Sequence, residues 1–319
     1  MRKNLILILS VILSFTFTSC QRGNDQTSGA PKIALVMKTA NNPFFIEMQK
    51  GAEEEAKKLG VNLVVQAAER EVDVEKQMQI VENLIQTKVA ALCVTPSGSR
   101  EIVPAIEKAN RAGIPVLIID TRVDPKALSE SQGKVASFIG SDNYEGGKLA
   151  GEFIAKQLSG KGKVAVLEGI PGHETGDSRL RGFRDALKAT PEIEIVASQT
   201  ANWERDQGFN VFKNILQSHQ DVQAVFACSD LMALGAIEAI AAAKKTGIVV
   251  VGFDASAEAR DAIGRGTMGA TIAQSPATMG ALAVENAYRL IKGEGIKDEI
   301  VVPIKLVTKE NVGATNANN

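Results

Sequence analysis

Aromatic rings, carboxylates and forked nitrogen donors recur just after the apolar, strand-like runs of this sequence. The first half carries Asn42, Phe44, Phe45, Asp120, Thr121 and Arg122 in such places. The second half carries Arg179, Trp203, Ser229, Asp230 and Asp254, with Gln274 after a later strand. A flat ring covers the C–H face of a sugar, and carboxylate, guanidinium and amide groups satisfy hydroxyls that are costly to bury unpaired. The set is therefore suited to holding a small polyhydroxylated molecule. It offers no nucleophile–base pair, and no group has metal-ligand spacing; His173 and His219 are isolated. The glycine pattern "GRGTMG", Gly264 to Gly269, precedes a strand instead of opening a helix after one, so it is a turn and not a dinucleotide loop. "SGKGK" at 159–163 lacks the spacing and the Ser/Thr of a phosphate loop. The expectation is a binding module with no cofactor, not an enzyme.

Aromatics make up only 4% of the chain, so the pair in "TANNPFFIEMQKGAEEEAKKLG" needs a reason. Asn42 can cap a helix there, and Pro43 suits its first turn. Phe45, Met48, Ala52, Ala56 and Leu59 form one apolar helical face, so Phe45 is either core or cleft. Phe44 shares its row with Glu47, Gly51 and Glu55, which points it off the core and toward a cleft. Asp120 and Asp254 either touch a ligand or cap the turns that follow them. Asp230 is read as the cap of the helix "LMALGAIEAIAAAKK". Arg179 falls in the first turn of "SRLRGFRDALKA", where positive charge opposes the helix dipole, an argument for function. Trp203, before the helix "ERDQGFNVFKNILQS", is either a cleft wall or surface packing.

These residues are positioned by a regular alternation. From Lys32 onward, apolar runs of strand length alternate with amphipathic helical runs, the signature of a parallel α/β architecture. The first half offers "KIALVM", "VNLVVQ", "AALCVTP" and "IPVLIID"; the second offers "KVAVLEG", "EIEIVASQT", "VQAVFACSD" and "GIVVVGFD". The fourth strand of each half ends in an aspartate, Asp120 or Asp254. Two similar doubly wound parallel-sheet domains follow, and in such sheets ligands bind beyond the carboxyl ends of the strands.

Outside this core, Arg2 and Lys3 precede an apolar run from Leu5 to Phe17, too short to span a bilayer, which takes roughly 20 residues. It has the proportions of a secretion signal over 1–19. The ending "FTSC" resembles the lipobox of bacterial lipoproteins, which implies lipidation at Cys20, and 20–31 reads as a polar tether. Of the remaining cysteines, Cys93 and Cys228 lie in different halves, where a bridge would tie the halves together; two buried free thiols are the expectation set against that bridge. A net charge of −1 gives no electrostatic case for nucleic acid.

The stretches "NNPFF", "SRLRGF", "VQAVFACSDLMALGA", "VVVGFDAS" and "TIAQSPATMGALAVENA" together resemble the ribose-binding type of periplasmic sugar-binding protein, over nearly all of 32–312. The resemblance implies a periplasmic binding protein type I fold: two lobes joined by three hinge crossings, near Ser141, Ser275 and Pro303, that close on one monosaccharide. The lobes would be 32–140 with 276–303, and 141–275 with 304–319. It assigns ligand contact to Asn42, Phe44, Phe45, Asp120, Arg179, Trp203, Asp254 and Gln274. It leaves open whether Thr121 or Arg122 reaches the sugar. Ser229 stands where ribose binders carry asparagine, so the sugar is a ribose-like pentose or a hexose. The implied partners are an ABC permease and its ATPase. The membrane is reached only through the lipid at Cys20, on the extracytoplasmic side, and the protein acts as a monomer. A receptor that presents sugar to a membrane sensor or chemoreceptor is the alternative.

Overall fold

The computed structural model describes residues 29–315; the signal-like segment, Cys20 and the tether up to residue 28 lie outside the described residues. The chain runs β1 (Lys32–Met37), α1 (Pro43–Leu59), β2 (Asn62–Ala67), α2 (Val74–Gln86), β3 (Ala91–Val94), α3 (Val103–Arg111), β4 (Val116–Ile119), α4 (Pro125–Ser129) and β5 (Ser137–Ser141). It continues through α5 (Asn143–Gln157), β6 (Lys161–Glu168), α6 (Glu174–Leu187), β7 (Glu192–Thr200), α7 (Arg205–Ser218), β8 (Ala224–Ala227), α8 (Asp230–Ala242), β9 (Val249–Asp254), α9 (Ala257–Arg265) and β10 (Ala270–Ala273). It ends in α10 (Pro276–Ile291), β11 (Glu299–Val302), β12 (Lys305–Thr308) and α11 (Val312–Thr315).

The strands form two six-stranded sheets of matching order, β11-β5-β4-β3-β1-β2 and β12-β10-β9-β8-β6-β7. Every neighbouring pair is parallel except β10 with β12. The central strands β3 (ALCV), β4 (VLII) and β8 (AVFA) are buried at every position, because helices cover both faces. That double coverage is why they read as unbroken apolar runs and not as alternating patterns. The edge strand β7 (EIEIVASQT) is wetter and keeps polar residues.

The chain passes between the sheets three times. It leaves the first after β5, because α5 packs on β9 and β10; it returns with α10, which packs on β3, β4 and β5; and β11 and β12 continue from one sheet to the other. The first lobe thus includes α10 and β11.

Helix α1 lies against α10 at very close range. A Cβ at Gly51 would sit 2.0 Å from the Ala277 carbonyl oxygen, and one at Gly280 would sit 2.0 Å from that of Met48. The row through Phe44, Gly51 and Glu55 is therefore not simply solvent-facing, as its composition suggests: Gly51 is buried by α10, and Phe44 is only 8% exposed.

Candidate functional site

The carboxyl ends of the strands of both sheets open onto one cleft of about 310 Å³, its mouth included. Six lining residues come from the first lobe (Lys38, Asn42, Phe44, Phe45, Glu71, Asp120) and six from the second (Thr175, Arg179, Trp203, Ser229, Asp254, Gln274).

In the first lobe, Asn42 caps α1: its Oδ1 accepts from the Phe44 N–H at 3.0 Å, and its Nδ2 donates to Glu71 at 3.0 Å. One side chain thus starts the helix and fixes a carboxylate. The rings of Phe44 and Phe45 meet edge to face, 5.3 Å apart at 87°, so two differently oriented aromatic surfaces belong to one corner. Lys38 lies 3.7 Å from Glu71 and 4.0 Å from Asp120. Burial raises the Glu71 carboxyl above its ordinary value, against the pull of Lys38 and Asn42.

In the second lobe, Arg179 is 3% exposed and clamped. It donates to Asn143 at 2.8 Å and to the Cys228 carbonyl at 2.6 Å, stands 3.8 Å from Asp254, and lies 3.6 Å over the Phe253 ring. Asp254 also accepts from Gln274 Nε2 at 2.8 Å. Burial pushes its carboxyl well above the usual range; Arg179 opposes the shift, and Asp230 and Asp120 reinforce it. The Oε1 of Gln274 is buried without a protein partner, an acceptor available to a ligand hydroxyl. Trp203 lies across Gly169, where any Cβ would fall 1.9 Å from the indole. Three lining residues hold left-handed backbone: Asp120 (φ 62), Trp203 (φ 67) and Asp254 (φ 114). Non-glycine residues adopt such angles at a cost of order 1–3 kcal/mol, and they concentrate at functional sites.

A family model, the periplasmic binding protein domain, matches residues 33–295. The chain belongs to the periplasmic binding protein domain family. It is 40% identical to the ribose import binding protein of Bacillus subtilis, over 97% of this chain and 100% of that one. It is 36% identical to the D-allose-binding periplasmic protein of Escherichia coli, over 80% and 83% of the two chains. A solved ABC transporter periplasmic solute binding protein from Actinobacillus succinogenes, with bound D-allose, superposes with a TM-score of 0.85 at 41% identity, covering 89% of this chain and 99% of that one.

Within this periplasmic binding protein, most residues singled out from the sequence share the cleft: Asn42, Phe44, Phe45, Asp120, Arg179, Trp203, Ser229, Asp254 and Gln274 all line it. Thr121 stands behind Asp120, donating to its Oδ2 at 2.9 Å and accepting from Thr175 across the lobes at 3.0 Å. Arg122 lies outside the cleft. The turn at Asp120 sends it away, over the Phe138 ring at 3.7 Å and onto Glu299. Asp230 is not the cap of α8. Ser229 is, its Oγ accepting from the Met232 N–H at 3.5 Å, while Asp230 is buried and accepts from Thr271 and from the Ser256 N–H, each at 2.7 Å. Burial lifts the Asp230 carboxyl to about 6. Arg179 lies in the second turn of its helix, because α6 begins at Glu174, so opposition to the helix dipole is a weaker argument for it than its geometry.

Three lining residues escaped the sequence reading. Lys38 directly follows β1, the position rule that found Asp120. Glu71 and Thr175 sit in a loop and a helix start with no marking pattern. Cys93 and Cys228 are buried and unpaired, and burial pushes both thiols up to about 12. Among the described residues, no cluster of His, Cys, Asp or Glu has the makings of a metal site, and no helix is long and apolar enough to cross a membrane.

Proposed function

We propose that this chain is an extracytoplasmic receptor that binds one monosaccharide, a ribose-like pentose or a hexose, and delivers it to an ABC permease and its ATPase. The carrying observation is the equal division of the cleft: six lining residues from each lobe mean that a ligand gains its full set of contacts only when the lobes are together. The chemistry agrees, with Phe44, Phe45 and Trp203 as apolar plates among carboxylates, an arginine, a lysine and an amide acceptor. Relatives named for ribose import and for allose binding bracket the same ligand class. Ser229 offers one hydroxyl, already engaged in capping α8, so that edge of the cleft favours a sugar larger than ribose. The proposed boundaries follow the crossings, 32–140 with 276–303 and 141–275 with 304–319. The proposed anchor is the lipidated Cys20, and the protein works as a monomer.

The test is a calorimetric screen of ligand-stripped protein against pentoses, hexoses and deoxy sugars, with small-angle scattering on each hit. The expected result is one or a few tight sugars and a radius of gyration that falls on saturation. No heat with any monosaccharide, or an unchanged radius at saturation, would count against the reading.

A further inference from the structure

His173 lies just before α6, is 3% exposed, and touches both lobes. Its Nε2 is 2.5 Å from the carbonyl oxygen of Ser97, in the loop after β3 of the first lobe. Its Nδ1 is 3.4 Å from the indole nitrogen of Trp203, in its own lobe. Two more bonds between the lobes flank it: the Glu174 N–H donates to Ser99 Oγ at 3.2 Å, and Thr175 donates to Thr121 at 3.0 Å.

The partners dictate the protonation state. A carbonyl only accepts and an indole N–H only donates, so the ring must donate from Nε2 and accept at Nδ1. Only the neutral Nε2–H tautomer does both. An imidazolium would set a second N–H against the indole N–H and would bury a charge.

We propose that His173 is a positioning residue for closure, a neutral-histidine latch that ties the Trp203 wall of the cleft to Ser97 of the opposite lobe and lets go when the ring takes a proton. The inference rests on the sugar-binding reading for its ligand, but the latch itself is a contact between lobes.

The surrounding charges favour the neutral ring. Burial, together with Lys38 at the end of β1, lowers the His173 pKa to about 3; the bond to Ser97 opposes this and loses. Glu174 is turned away to Ser178 at 2.6 Å. Asp177, on the next turn, lies among Glu168, Glu174 and Arg181, and Glu204 beside Trp203 acts on Glu71. Arg100 and Glu101, in the loop that holds Ser97, are exposed.

The linkage has a definite sign. In the open form the ring is solvated, with an ordinary pKa of roughly 6.5. Closure therefore selects the unprotonated ring: the latch is fully available above that value and is lost as pH falls below it. The factor 1 + 10^(6.5 − pH) gives an affinity about 30-fold weaker at pH 5.0 than at pH 7.5 from this one group.

The test uses D-allose and D-ribose as probes, titrated calorimetrically at pH 7.5, 6.0 and 5.0 into the wild-type chain, His173→Asn and His219→Gln. Wild type and His219→Gln should show the extra fold-loss of about 30 between the end points relative to His173→Asn, which should bind more weakly at pH 7.5. Parallel pH profiles for wild type and His173→Asn would overturn the latch. Should that variant not fold, imidazole nitrogen NMR of the sugar-bound wild type decides. His173 should remain an Nε2–H neutral ring at pH 5.0, and a protonated His173 ring at that pH would overturn the proposal. Should neither sugar bind, the sugar reading fails, and the latch is judged on lobes held closed by a disulfide in the Thr121→Cys/Thr175→Cys variant, whose parent hydroxyls meet across the lobes at 3.0 Å. His173 should then stay a neutral Nε2–H ring at pH 5.0 in nitrogen NMR, and a protonated ring there overturns it.

Discussion

Replacing Asp254 by asparagine should move binding and stability in opposite directions. The cleft region holds carboxylates at Glu71, Asp120 and Asp254, with Asp230 buried behind them, against the cations Lys38 and Arg179. At 3.8 Å the Arg179–Asp254 attraction is about 4 kcal/mol at an effective dielectric of 20. The raised carboxyl of Asp254 nonetheless says that desolvation and like charges outweigh that attraction. A carboxyl raised in the folded state weakens the fold once pH exceeds its unfolded value of about 3.9, and the amide removes the penalty. Arg179 keeps Asn143, the Cys228 carbonyl and the charge of Asp230, so it is not stranded. The amide also suits the left-handed backbone at this position better than most side chains. We expect the ligand-free melting temperature at pH 7.5 to rise by about 2–4 °C, the equivalent of about 1 kcal/mol. Sugar affinity should fall by about 10- to 150-fold, the loss of a charge-assisted hydrogen bond worth about 1.5–3 kcal/mol. Scanning calorimetry reads the first and titration calorimetry the second. A lower melting temperature with unchanged affinity would refute the reasoning, because Asp254 would then be a structural ion-pair partner.

Trp203 is the only tryptophan in the chain, so its emission should change on sugar binding and titrate with the calorimetric isotherm. Trp203→Ala should weaken binding by about 1–3 kcal/mol, the scale of burying an aromatic side chain; wild-type affinity in the variant would rule out a stacking role. Ser229→Asn should fold normally, since asparagine caps helices as well as serine does. It should weaken binding of a hexose by steric overlap and improve ribose binding, and tight ribose binding by the wild type that worsens in the variant would sink this assignment. Arg122→Ala should leave the calorimetric affinity within about twofold of wild type, because the side chain faces Glu299 and not the cleft; a tenfold loss would reinstate Arg122 as a ligand contact.

The fold was legible where burial is complete on both faces, since Ala91–Val94 and Val116–Ile119 admit no polar interruption. The strand Ser137–Ser141, with serine at both ends and a glycine, carries no such signal; it is a strand because β4 and β11 flank it and bury every residue. The cleft was legible through aromatics at a helix start and aspartates at strand ends. Arg122 was ambiguous because its direction depends on one backbone angle, the left-handed turn at Asp120. Lys38 and Glu71 are charged residues that local pattern assigns to the surface. They are buried because they pack against each other beneath a cleft built from two lobes, and no window of sequence contains that information.

The return of the chain to its first sheet has a consequence for how the molecule is made. Ribosomes deliver the amino terminus first, yet the first lobe lacks β11 at its sheet edge and the glycine-matched partner of α1 until residue 302 exists. A fragment ending at residue 275 is thus expected to show rapid hydrogen exchange throughout α1 and β5, and strong protection there would contradict the expectation. A nascent polypeptide of this design stays unfinished, and therefore threadable through a narrow translocation pore, until nearly all of it has been synthesised.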